Sequence, residues 1–328
     1  MRTDIHVMYF ESRDVFDNLA LEETLLIERS DADIVISFYQ NRDSVVIGRH
    51  QNPWIECDID AIRADGVTLA RRVSGGGAVY HDSGNLNYSV VIGRDRYDRD
   101  TIFDAVLSGL ADIGVSAQRN ERNDILVDGA KISGTAFRHT KESTLHHGTL
   151  LIDSRLDRIE RYLHNRRRSK RIKGIQSVES RVGRLGNGVT PVAVRDALAR
   201  ALFRALAERS SDAVPTTALP PRSRYQGRRN ELATWSWVYG TTPDFALELP
   251  YAIVDRPVTL LVHRGCATSL SIPGTDQPLP LPAWRYGHDA LDATQLQSTL
   301  TAQLPQLGTA AIHQLAAAAV EAWSKEPL

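Results

Sequence analysis

The segment Arg71–Asn85, RRVSGGGAVYHDSGN, sets the tightest limit on how this chain can fold. Three adjacent glycines weaken any helix or strand that runs through them, because glycine loses the most backbone entropy on folding. The run therefore reads as a loop where bare backbone approaches another group closely. Successive N–H groups in such a turn form an anion-binding nest, and Arg71 and Arg72 bring positive charge beside it. A phosphate or a carboxylate is the natural guest. Taken alone, the glycines fit a plain tight turn between strands equally well.

A second cluster complements the first. It runs from Arg122 to Leu151 and contains RNDILVDGAKISGTAF and HHGTLLID. ILV, then Asp128-Gly129, then AKI reads as two short strands joined by a type I′ hairpin turn. Lys131 falls early in the returning strand, where a stiff ribbon aims a point charge at a phosphoryl oxygen. A solvated surface lysine is the competing explanation. Composition weighs against it: only 5 of the 39 basic residues are Lys. Where arginine has replaced lysine so widely, survivors such as Lys131 and Lys173 mark positions that need a compact ammonium.

At 328 residues the chain calls for one large domain and a smaller one. A net charge of −1 gives no global field for nucleic acid or acidic membranes. Cys57 and Cys266 lie far apart and suggest a reducing compartment, with Cys57 a small buried hydrophobe rather than a nucleophile. No apolar run approaches a membrane span and the first residues lack a signal-peptide core, so the expected location is the cytoplasm.

Helical spacing runs over Val15–Ser30 behind a possible Asp14 cap, over Asp100–Ile113 up to Gly114, and from Thr190-Pro191 to about Arg209. Strands are expected at Asp33–Tyr39, Ser44–Gly48, Tyr88–Ile92 and Thr149–Ile152. Ser210–Asn230 reads as a long surface loop, and Trp235 and Trp237 as one face of a strand. Beyond Pro250 come short strands and helices near 291–303 and 309–324. Hairpins mixed with helices argue an α+β fold. The basic run 164–173, HNRRRSKRIK, reads as a solvated surface segment, or as a site for an acidic protein partner or a phosphate-bearing ligand.

Six blocks, in order, resemble the A-type lipoate–protein ligases of the biotin–lipoate ligase superfamily. They are SVVIGRHQNPWIE (44–56), ARRVSGGGAVYHDSGN (70–85), RNDILVDGAKISGTAF (122–137), HHGTLL (146–151), KGIQSVESRV (173–182) and WSWVYGTTPDF (235–245). The resemblance implies a catalytic domain over 1–247, with mixed and antiparallel sheets flanked by helices, and a small α+β accessory domain over 248–328. It implies that (R)-lipoate and Mg·ATP give lipoyl-AMP. The lipoyl group then passes to a lysine of a lipoyl domain in a 2-oxoacid dehydrogenase E2 subunit, or of the glycine-cleavage H protein.

By the same resemblance, Arg72 contacts ATP and Gly77, Ala78, Val79 and Tyr80 lie along the nucleotide; the nest reading adds Gly75 and Gly76, and Asn123 and Asp124 are further candidates on that side. The resemblance also implies that Lys131 touches both acyl group and phosphate as the catalytic residue; Ser74, His147 and Gly148 are candidates to join Arg72 around lipoate, and a structural role fits His146 and His147 as well. Lys173 and Arg181 belong to a loop that closes on the adenylate. Asp124 is the nearest candidate Mg²⁺ ligand, since a hard cation wants oxygen donors, and a surface or turn-capping aspartate fits the sequence at least as well. A transferase using preformed lipoyl-AMP would keep most of these residues, and a non-catalytic lipoate- or adenylate-binding module is the reading from another class. A dinucleotide-binding oxidoreductase fails, because the glycines are contiguous rather than spaced G-x-G-x-x-G.

Overall fold

A computed structural model describes residues 4–28, 33–163, 177–178, 180–186, 188–207, 215–216, 219–253, 256–285, 293–305 and 307–324. They form an α+β fold whose mixed and antiparallel sheets are flanked by helices. Two compact units emerge, one from residues 4–49, 56–163 and 177–238, the other from 50–55 and 239–324.

The first unit is organised by a six-stranded sheet. Its strands run in the order Thr135–His139, Ser143–Leu151, Asn85–Gly93, Ile34–Tyr39, Ile5–Tyr9 and Pro215–Thr216. Pairing is antiparallel, except that Ile5–Tyr9 runs parallel to both of its neighbours. Successive side chains alternate between faces, and both faces are buried. Ile34, Ile36, Phe38, Tyr88 and Val90 join a core with Phe103, Val106, Leu198 and Leu202 of the helices Arg99–Ala111 and Pro191–Ala207. Val35, Tyr39, Val91 and Leu145 point the other way and pack with Leu21 and Leu25 of the helix Val15–Glu28.

Local chemistry explains where these helices begin. Asp14 Oδ1 accepts from the Phe16 N–H at 2.8 Å, and Thr190 Oγ1 from the Ala193 N–H at 3.2 Å just before Pro191. Both caps match the sequence reading.

A small sheet holds Ser44–Ile47 between Thr68–Arg71 and Val79–His81, so the glycine loop links its two outer strands. A third sheet contains the hairpin Ile125–Val127/Ala130–Ser133. Its turn residues Asp128 and Gly129 have φ of 50° and 72°, the left-handed pair a type I′ turn demands. The second unit carries the antiparallel strands Phe245–Ile253, Arg256–His263, Cys266–Ser271 and Leu279–Arg285, with helices Ala293–Gln303 and Thr309–Ser324.

Three expectations are corrected. Trp235–Val238 is a helical turn, not a strand; tertiary contacts decide it, since Trp237 Nε1 donates to the Arg71 carbonyl at 2.8 Å. Its ring is sandwiched between the guanidinium groups of Arg49 and Arg228, at 4.4 and 4.1 Å. Within the expected loop 210–230, Arg222–Arg224 forms a 3₁₀ turn and Gln226–Leu232 a helix, tied down by Arg229–Asp14 and Arg228–Glu23 pairs at 2.6 Å. The expected strand 149–152 starts earlier, at Ser143, and so includes both histidines. The basic run 164–173, Lys173 with it, lies outside the described residues.

Candidate active site

The site grows out of one row of residues across the main sheet. Ala136 pairs with His147, His147 with Ser89, and Ser89 with Ser37. Three of these four side chains are small, which lowers the floor of this face between the bulkier rows of Tyr39 and of Val35, Val91 and Leu145. Ser37 and Ser89 bridge through their hydroxyls at 2.5 Å.

Over this floor lies the glycine loop. A Cβ at Gly76 would sit 3.5 Å from Ala136 Cβ and 2.9 Å from Arg72 Nη2, and Gly76 holds φ 89°. Gly75 faces open space. Ser74 joins the loop to the floor, with its Oγ 2.7 Å from His147 Nε2. His147 Nδ1 stands 2.9 Å from Glu22 Oε2, on the helix above. A carboxylate only accepts, so Nδ1 carries the proton and, in the neutral ring, Nε2 accepts from the Ser74 hydroxyl. The two sequence clusters, Ser74 and His147, thus meet in a buried chain that the helix Val15–Glu28 completes.

Arg72 extends that chain. Its Nε donates to Ser74 Oγ at 3.0 Å, its Nη2 to the carbonyls of Gly75 and Gly77 at 2.6 and 2.8 Å, and its Nη1 to Val46 O at 3.1 Å. Burial lowers its pKa to about 10, still charged at neutral pH. The guanidinium therefore shapes the loop from inside. Arg71 does not bring charge to the nest as expected. It is fully buried, and its Nε and Nη1 donate to the carbonyls of Val238, Gly48 and Arg49.

Ala78 follows the loop, and Val79 and Tyr80 continue it into the strand paired with Ser44–Ile47. The Tyr80 side chain is buried against Tyr162 and its hydroxyl accepts from Arg155 Nη2 at 2.8 Å. Gly148 falls on the opposite face from His147, where a Cβ would meet the Tyr88 ring at 2.7 Å. Close packing accounts for that glycine.

Lys131 is fixed through its main chain. Its N–H donates to Arg181 O at 2.8 Å and its carbonyl accepts from the Gly183 N–H at 2.9 Å, so the 181–183 segment runs beside the hairpin. The Arg181 side chain is exposed. The Lys131 ammonium pairs with Asp124 Oδ1 at 2.7 Å. Asp124 is held in turn by Asn120, and Asn123 takes the left-handed φ of 65° that lets the chain turn between them.

A family model described as the lipoyl protein ligase A/B catalytic domain matches residues 14–207. The chain belongs to that family. Similar solved structures agree. A bipartite lipoate protein ligase from Thermoplasma acidophilum, studied with its E2 lipoyl domain, is 26% identical with TM-score 0.61, covering 74% of this chain and 98% of that one. A lipoate-protein ligase A bound with ATP is 26% identical with TM-score 0.59, covering 72% and 96%. P. falciparum LipL1 in complex with lipoate, 22% identical with TM-score 0.63, shares the fold over 97% of this chain and 99% of its own.

As a ligase of this family, the chain is an enzyme whose candidate site brings together Arg72, Ser74, Gly75–Gly77 and His147. Two members escaped the sequence reading. Glu22 carries no motif or spacing signal in its helix; a carboxylate at 2% exposure against His147 is visible only in three dimensions. His81, buried in the strand after the loop, has its pKa lowered to about 3 by burial, with Arg72 and His147 adding to the effect. Its Nδ1 meets Asn41 Nδ2 at 2.9 Å, and its Nε2 is buried with no hydrogen-bond partner. Burial pushes the Cys57 thiol up, in line with a core residue rather than a nucleophile. Among the described residues no trio of His, Cys, Asp or Glu could hold a metal, and none of the helices is long and apolar enough to cross a membrane.

Proposed function

We propose that this enzyme joins (R)-lipoate to a lysine of an acceptor protein in two steps, through lipoyl-AMP. The contact between Ser74 and His147 carries this reading, because it unites an anion-binding loop with a buried, small-residue floor in one site. Adenylation brings a carboxylate to an α-phosphate, two anions that need donors on both. The Gly75–Gly77 backbone and Arg72 serve the nucleotide side, and Ser74, His81 and His147 serve the acyl side. Lys131 exchanges Asp124 for the reacting carboxylate, then steadies charge on the mixed anhydride as the acceptor amine attacks.

Mg²⁺ sites often combine one or two carboxylates with substrate phosphates. Asp124 fits such a site only together with ATP, where the cation would neutralise phosphate charge. The ATP-bound ligase among the similar structures supports the nucleotide assignment, and the archaeal ligase with its E2 lipoyl domain supports a lipoyl domain as acceptor. The H protein is a second candidate acceptor. We assign these steps to residues 1–247 and an accessory role to 248–328.

Pyrophosphate release from lipoate and ATP without acceptor tests the assignment. Release, followed by acceptor mass gain, is the expected result. No release, but transfer from synthetic lipoyl-AMP, would make the enzyme a transferase. Neither would reduce it to a binding module.

A further inference from the structure

The backbone N–H that follows the glycine run is already engaged by the protein itself. The Ala78 N–H, one residue beyond the three glycines, donates to Ser177 Oγ at 3.0 Å. That hydroxyl donates to Glu56 Oε2 at 2.5 Å, and the Ser177 N–H donates to the same oxygen at 3.0 Å. A Cβ added at Gly77 would lie 3.0 Å from Ser177 Oγ, so the hydroxyl rests against the glycine. Glu56 is buried at 4% exposure. A hydroxyl that donates to a carboxylate becomes a stronger acceptor for a third group. Ser177 Oγ therefore offers Ala78 much of what a phosphoryl oxygen would offer.

We propose that Ser177, gripped by Glu56, competes with the nucleotide for the Ala78 N–H, so that both are positioning residues that set ATP affinity. The proposal rests on the nucleotide assignment of residues 75–80. One N–H directed at Ser177 cannot also serve a phosphate at full strength, and the Glu56 carboxylate just behind the hydroxyl disfavours a second anion. Binding of ATP must therefore displace Ser177, and the hydrogen bond lost is subtracted from nucleotide affinity. Nothing in this exchange involves Ser74, His147 or Glu22, so lipoate affinity is independent of it.

Calorimetric titration with a non-hydrolysable ATP analogue and Mg²⁺ tests this on wild type, Ser177→Ala and Glu56→Gln. Lipoate titrations and melting temperatures are taken on the same samples. Removing one hydrogen bond should tighten analogue binding by about three- to tenfold in both variants, with the lipoate Kd unchanged. Because Glu56 is buried and its variant can lose stability, Ser177→Ala carries the decision. Equal or weaker analogue binding by folded Ser177→Ala overturns the proposal. Absence of analogue binding by the wild type overturns the nucleotide assignment itself, and the proposal with it.

Discussion

The Lys131 ammonium and the Asp124 carboxylate face each other at 2.7 Å across one hairpin, with side-chain exposures of 27% and 14%. Both side chains are half-buried, so neither is shut off from solvent or from an incoming group. Lys131→Ala should fold normally and lose roughly 10²–10³ in lipoylation rate, the scale for losing one preorganised charge donor. Lys131→Arg should also be poor, because a planar fork cannot stand in for a point charge on a short ribbon. Steady-state rates with melting curves check both, and wild-type turnover in the arginine variant would remove Lys131 from the reaction.

The glycines separate into two tests. Gly76 has positive φ and no room beyond Arg72, so Gly76→Ala should cost about 1–2 kcal/mol of stability. Gly75 has no such strain and an open Cβ direction. Gly75→Ala should keep the melting temperature while weakening ATP binding, since a methyl group would enter the space left for phosphate. Unchanged ATP affinity in that variant would show the run to be a turn and nothing more.

Glu22→Gln can place an N–H against His147 and so disturb the tautomer that receives the Ser74 hydroxyl. A hydrogen bond to a charged group contributes about 1.5–3 kcal/mol. The variant should therefore raise the lipoate KM by roughly ten- to a hundredfold and leave the ATP KM within about twofold. A shift confined to the ATP KM would contradict the acyl-side assignment.

His81 and His146 make acid stability testable. Burial lowers both to a pKa of about 3, with Arg72 and His147 contributing at His81, and His147 and Arg99 at His146. The folded protein keeps them neutral, whereas the unfolded chain takes up protons below about pH 6.5. The unfolded state then binds more protons, so stability falls as pH drops from 6.5 towards 3 and is insensitive to these groups above 6.5. At pH 5 the loss is roughly 2 kcal/mol per histidine. Urea midpoints at pH 7.5 and 5.0 should differ accordingly, and equal midpoints would refute the assignment of neutral buried rings.

Much of this was legible in the sequence because it was local. The Asp14 and Thr190 caps, the Asp128-Gly129 turn and the glycine run act on their own neighbours. What escaped depended on contacts distant in sequence. Arg71 looked like ligand charge until Val238, 167 positions away, accepted its Nε–H. Trp235 and Trp237 alternated like a strand, but stacking with Arg49 and Arg228 stabilises a helical turn. Glu22 and His147 are 125 positions apart, and no spacing rule connects them.

The turn residues Asp128 and Gly129 are assigned no part in lipoate or nucleotide binding, yet they decide which way Lys131 looks. Side chains alternate along a strand, so slipping the Ala130–Ser133 register by one residue would turn the ammonium to the opposite face and put Ile132 in its place. The turn type fixes that register. An insertion or a β-branched residue at 128–129 would thus leave a folded ligase whose reactive side chain points into the wrong half of the molecule. Loss of activity without loss of fold, from residues that carry no reacting group, is how this turn would announce its importance in a mutational survey.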